Sequence, residues 1–116
     1  MSKKSNKRKV KFHFRRYKKK QGKLEERHPK LIVDEYGNNY GFMGLTSKNK
    51  KGKGHYNLPF KYNPNLQNKD VNQKSYLRKK IEYDKKRKFG NEIKHYHLHP
   101  EDKAMVDDYV KKHKKR

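Results

Sequence analysis

The side chains best suited to chemistry near neutral pH are histidines, because an imidazole can both give and take a proton. His28 stands directly before Pro29, where it reads either as a proton-exchanging group or as a solvated loop residue. His55 follows a lysine- and glycine-rich stretch and is, on position alone, a further candidate for proton transfer. His95, His97 and His99 alternate, so a regular strand would turn all three imidazoles to one face, where they could hold zinc. No cysteine and no well-spaced carboxylate completes such a shell, so they read as a solvated or half-buried row and no metal is expected. Lys48, Lys50, Lys51 and Lys53 occupy the polar stretch 47–54 and read as a flap that grips phosphate. Tyr17, Tyr40, Tyr56 and Tyr62 are candidates for stacking on unpaired bases. Phe12, Phe14, Phe42 and Phe60 are assigned to the core, since the chain has few other large apolar residues.

The chemistry must be carried by a single small domain, because the chain has 116 residues. Charged residues make up 41% and hydrophobic ones 28%, so much of the sequence must stay in water. The apolar residues are grouped, which predicts a compact middle, residues 10–112, between a basic arm at 1–9 and a basic tail at 113–116. A net charge of +23 attracts polyanions and predicts salt-sensitive binding to phosphate backbones. No apolar run approaches the ~20 residues of a membrane span, and none resembles a secretory leader. Nucleic acid is thus the expected partner, with no membrane, and the lack of cysteine fits a cytoplasmic setting.

Val10, Phe12 and Phe14 alternate with Lys11, His13 and Arg15, predicting a strand with one apolar and one basic face. Residues 16–26 read as a loop. Leu31-Ile32-Val33 predicts a buried strand, Tyr36-Gly37-Asn38-Asn39 a tight turn in which Gly and Asn accept positive φ, and Tyr40 to Thr46 the returning strand. Further strands are predicted at His55 to Phe60, ended by Pro59, at Ser75 to Tyr83, and at Ile93 to Leu98, with a second polar loop from Asn63 to Gln73. His99-Pro100-Glu101-Asp102 reads as a helix start, and Met105, Val106, Tyr109 and Val110 recur at helical spacing over about 100–112. Short strands, long basic loops and one terminal helix predict a mainly β (β+α) fold, a small SH3-like barrel capped by the helix.

Three segments, in order, resemble the PemK/MazF family of toxin endoribonucleases, particularly its basic versions in phages and mobile elements of Gram-positive bacteria. They are Glu26-Arg27-His28-Pro29-Lys30-Leu31-Ile32-Val33, then Gly44-Leu45-Thr46-Ser47, then Tyr83-Asp84 with Phe89-Gly90, Leu98 and the helix Glu101 to Val110. The resemblance implies an SH3-like barrel that dimerises, cuts single-stranded RNA without metal or cofactor, and pairs with an antitoxin protein. It also implies attack by the RNA's own 2′-hydroxyl on the neighbouring phosphate, leaving a 2′,3′-cyclic phosphate. Its arginine-proline position becomes His28-Pro29 here, with Arg27 one residue earlier. Carried over, His28 serves as proton donor, Arg27 or a loop lysine clamps the phosphate, Thr46 hydrogen-bonds it and Ser47 assists. Lys48, Lys50, Lys51, Lys53, His55 and Tyr56 would then contact the substrate.

Histidine in place of arginine keeps a second reading open, a basic RNA- or DNA-binding accessory protein of a phage or mobile element that does not cut. A third is an inhibitor whose basic face blocks an acidic host target. The nuclease reading requires the residues before Pro29 to lie beside the end of the Thr46 strand.

Overall fold

Leu31-Ile32-Val33, the most apolar run of the chain, lies inside the sheet and is buried on both of its faces. The computed structural model describes residues 10–18, 28–47, 57–67 and 74–114. Its strands are β1 (His13–Arg15), β2 (Lys30–Tyr36), β3 (Asn39–Thr46), β4 (Leu58–Pro59), β5 (Tyr76–Leu77) and β6 (Glu82–Lys85), and helix α1 (Pro100–His113) follows. The strands form one antiparallel sheet in the order β1-β2-β3-β5-β4, with β6 pairing the other half of β3. The β+α expectation holds, and the described strands form an open path rather than a closed ring.

The β2–β3 hairpin follows its sequence signals. Tyr36 pairs with Asn39 across Gly37-Asn38, and Gly37 takes φ +59°, as the first central position of a type II′ turn demands. Asn38 does not share the positive φ. The register shifts between Ile32 and Asp34, a bulge that re-aims the residues beyond it. Leu31, Val33, Met43 and Leu45 face the main core, with Phe14, Phe60, Leu77, Ile93, Val106 and Val110. Ile32 and Phe42 face the opposite way and are covered by Phe89, Tyr17, Tyr40 and Val10.

Helix α1 docks Val106 and Val110 into the main core, with Met105 and Tyr109 packed beside them. His99 caps it, its side chain accepting from the Glu101 N–H at 3.1 Å, and Pro100 occupies the first turn. The helix runs through His113, one residue into the expected tail. Buried Asp102 accepts the backbone N–H groups of Lys61 at 2.8 Å and Tyr62 at 3.0 Å, fastening the loop after β4 to the helix.

Elsewhere the period-of-two readings overreach. Only His13–Arg15 is strand in the first segment, because Phe12 and Phe14 pack on the main core whereas Val10 crosses to the other cluster. Ser75 to Tyr83 is not one strand. β5 pairs the end of β3 and β6 its beginning; the four residues 78–81 stand opposite only two, Met43 and Gly44, so the segment bows outward. The strand predicted over His55 to Phe60 is reduced to Leu58–Pro59 among the described residues, at the sheet margin where proline costs no ladder bond.

Ile93 to Leu98 is not a strand, because the chain turns at Lys94-His95. Its backbone serves two neighbours instead. Ile93 N–H donates to the Phe14 carbonyl at 2.8 Å and Gly90 N–H to that of Arg16 at 2.8 Å. Past the turn, Leu66 N–H donates to the His95 carbonyl at 2.9 Å and His97 N–H to that of Pro64 at 2.8 Å. Residues 88–97 therefore strap the β1 margin to the segment beyond β4. No helix among the described residues is long and apolar enough to cross a membrane.

Candidate functional site

The β2–β3 register decides what lies beside Pro29. Lys30 pairs with Gly44, and Leu45 N–H donates to the Pro29 carbonyl at 3.0 Å, so the two strands stay adjacent at this end. Two residues further along each chain segment are His28, just before β2, and Thr46, the last residue of β3. Both line a cleft of about 160 Å³ together with Pro29, Leu45, Ser47, Asn63, Asn65, Ser75 and Tyr96. The required juxtaposition is met.

Several elements hold this cleft. Thr46 is fixed in register opposite Tyr76 of β5. Asn63 and Asn65 lie in successive local turns: Asn63 Oδ1 accepts from Asn65 N–H and Asn65 Oδ1 from Gln67 N–H, each at 3.0 Å. With the carbonyl oxygens so engaged, each side chain has its amide NH₂, a donor, to offer a ligand. The bridge between Asn65 and Tyr96 ties these turns to the strap. His28 itself is exposed, and its main chain is anchored by Lys30, only 7% exposed, whose Nζ donates to the His28 carbonyl at 3.2 Å. The ammonium sits 4.6 Å from the Tyr17 ring centroid, a cation–π contact, and Tyr17 Oη donates to Asp84 Oδ2 at 2.7 Å. Partial burial pushes the Asp84 carboxyl up, but Tyr17 Oη, Lys85 N–H and the nearby Lys88 ammonium together hold it below its ordinary value. A chain of contacts thus runs from a stabilised carboxylate to the backbone of the candidate histidine.

Chemically the described lining is a cradle of neutral donors, Thr46, Ser47, Ser75 and two amides, around one imidazole. Such groups suit the non-bridging oxygens of a phosphodiester. Lys30, Asn63, Asn65, Ser75 and Tyr96 were not among the expected site residues. The Asn63-Pro64-Asn65 pattern, a pair of side chains that build local turns, was the signal available for two of them. Arg27, Lys48, Lys50, Lys51, Lys53, His55 and Tyr56 lie outside the described residues.

The expected stacking rings are mostly committed elsewhere. Tyr17 and Tyr40 pack around Phe89, with centroids at 4.9 and 5.3 Å, because the outer face of β2 and β3 is apolar and needs covering. Tyr62 stacks on His99 at 3.8 Å. The turn at 94–95 also breaks up the histidine row: His95 lies against Tyr96, His97 is exposed, and His99 caps the helix. Among the described residues no cluster of His, Cys, Asp or Glu is arranged to hold a metal ion. No family model, curated protein or solved structure matches the chain.

Proposed function

We propose that this protein is a metal-independent endoribonuclease of the PemK/MazF-like toxin type, acting on single-stranded RNA in the cleft between His28 and Thr46. The observation that supports it is the convergence of His28, just before β2, with Thr46 and Ser47, at and just past the end of β3, on one cleft. The strap at 88–97 supports the accompanying reading of the domain as an SH3-like barrel, closed on that side by irregular chain rather than by a strand. An RNA substrate and a chain without cysteine fit a cytoplasmic setting.

In this reading the RNA 2′-oxygen attacks the adjacent phosphorus and the bond from phosphorus to the 5′-oxygen breaks. A 2′,3′-cyclic phosphate and a free 5′-hydroxyl result. The 2′-hydroxyl proton passes to water, and His28 in its imidazolium form delivers a proton to the departing 5′-oxygen. Thr46, Ser47 and the two amide groups hold the non-bridging oxygens as charge builds on them, and the net charge of +23 favours the polyanion throughout. The test is incubation with single-stranded RNA in EDTA, with mapped ends. Cyclic phosphate termini that vanish in His28→Ala and Thr46→Ala are expected; cleavage persisting in both variants rejects the site.

One observation favours a second reading, RNA binding without cleavage: among the described lining residues only His28 is of a type that exchanges protons near neutral pH. It predicts salt-dependent binding and intact RNA with every sequence tried.

A further inference from the structure

A second cleft, about 290 Å³, opens where the outward bow at 78–81 meets the C-terminal half of α1. Lys79, Lys80, Ile81, Tyr83, Tyr109 and His113 line it. Its character is unlike that of the His28 cleft, with ammonium groups in place of hydroxyls and amides.

Tyr83 is its best-fixed ring. It pairs across the strands with Gly41, and a Cβ on Gly41 would meet Tyr83 Cε2 at 2.7 Å and Cζ at 3.0 Å, so the ring packs closely against the glycine. Its hydroxyl donates to Asp34 Oδ2 at 2.6 Å, and Asp34, 3% exposed, also receives Lys114 Nζ from the helix end at 3.5 Å. The ring is thus held by a glycine beneath, a buried carboxylate at its tip and the helix end behind that carboxylate. It nevertheless remains 37% exposed and lines the cleft. On the helix side, Tyr109 and His113 stack on each other at 4.1 Å and 23°. An aromatic ring ordered before a ligand arrives loses little entropy on stacking.

Flat rings beside paired ammonium groups match one repeating unit of single-stranded nucleic acid, a base joined to a phosphate. The bow exists because residues 78–81 outnumber the positions opposite them, and it carries Lys79 and Lys80 to the cleft rim. Ser75 of the first cleft and Lys79 of the second are four residues apart on one segment, at most about 13 Å. The two clefts are thus joined by one short stretch of chain.

We propose that this cleft is a nucleotide subsite, in which Tyr83 stacks an unpaired RNA base and Lys79 and Lys80 take the adjoining phosphate. The inference rests on the reading of the protein as one that binds single-stranded RNA. The experiment is an anisotropy titration of the full chain with a labelled RNA hexamer, intact or abasic at each position in turn. With the wild type, one abasic position is expected to weaken binding about tenfold. Tyr83→Leu, which keeps bulk over Gly41 but removes the flat ring, is expected to weaken the intact hexamer about tenfold and to be indifferent to that abasic position. Tyr83→Phe, which keeps the flat ring but loses the bond to Asp34, is expected to keep the abasic response and to lose less affinity than Tyr83→Leu. The pair Lys79→Gln and Lys80→Gln, exposed and safe for folding, lowers the slope of log affinity against log salt by about one to two. Wild-type affinity in Tyr83→Leu with the abasic penalty intact, or an unchanged salt slope in the lysine pair, overturns the subsite while leaving RNA binding standing. A wild type that binds no hexamer at any salt overturns both readings together.

Discussion

The two clefts lie at opposite ends of one segment, residues 75–81, and are built from different materials. The first is lined by hydroxyls, amides and one imidazole from β2, β3, the 63–65 turns and the strap. The second is lined by lysines and rings from the bow and the helix. Groups of the first kind exchange or donate protons at short range and in fixed geometry; groups of the second kind attract and stack at little geometric cost. The chain carries a net charge of +23, yet the described lining of the first cleft holds hydroxyls, amides and one imidazole, which under the proposed function makes it the reacting position. Under the proposed function, turnover belongs to the first cleft and retention of the strand to the second.

That division of labour can be broken by variants that move the wrong quantity. The largest effect is expected for His28→Ala, which should lower single-turnover cleavage about 10²–10⁴-fold with RNA affinity nearly unchanged. A parallel loss of affinity would mean that the first cleft grips as well. Next is Lys30→Met, which takes away the donor to the His28 carbonyl and should destabilise the fold by about 1–3 kcal/mol in urea melts. At saturating RNA it should also slow cleavage, while the stacking response at Tyr83 stays intact. Gly41→Ala sharpens the contrast from the other side: its methyl would meet both the Tyr83 ring and Asp34 Cβ, so the fold should lose some stability in urea melts and hexamer affinity should fall several-fold, with the cleavage rate of the folded protein at saturation preserved.

The smallest effect concerns pH. Asp84 is held below its ordinary value in the folded state, so the stability it contributes is present above the unfolded carboxylate range and lost as pH falls through the lower folded value. Asp84→Asn should therefore flatten the acid limb of the stability profile, followed by thermal melts between neutral and acid pH. Through Tyr17 and Lys30 it should affect the His28 cleft and spare the Tyr83 cleft.

Legibility in the sequence followed the range of the forces involved. The β2–β3 hairpin and the start of α1 could be read because their signals are local: an apolar run, Tyr36-Gly37-Asn38-Asn39, and a proline followed by two acids. From the hairpin register follows the approach of His28 to Thr46, so the centre of the candidate site was legible too. Ile93 to Leu98 was not, since its alternating pattern is also produced by a chain that gives Ile93 to Phe14 and His97 to Pro64, partners 79 and 33 residues away. Nothing in Ser75 to Tyr83 announced that Arg78 to Ile81 would bow out, and the second cleft depends on that bow. Tyr83 looked like any strand tyrosine, because its surroundings are set by Gly41 and Asp34 on other strands.

The strap at 88–97 has a bearing on how this chain behaves in company. A lateral strand with unengaged amides invites another polypeptide to add itself by backbone pairing, the usual seed of β-aggregation. Here the outer rim of β1 is already occupied by the chain's own Ile93 and Gly90, the β4 rim is only two residues long and ends in Pro59, and the outer rim of β6 is the four-residue stretch Glu82–Lys85. The β6 rim carries Glu82, Asp84 and Lys85, so the described rims are covered, short or charged, three ways in which a sheet discourages addition of a further strand.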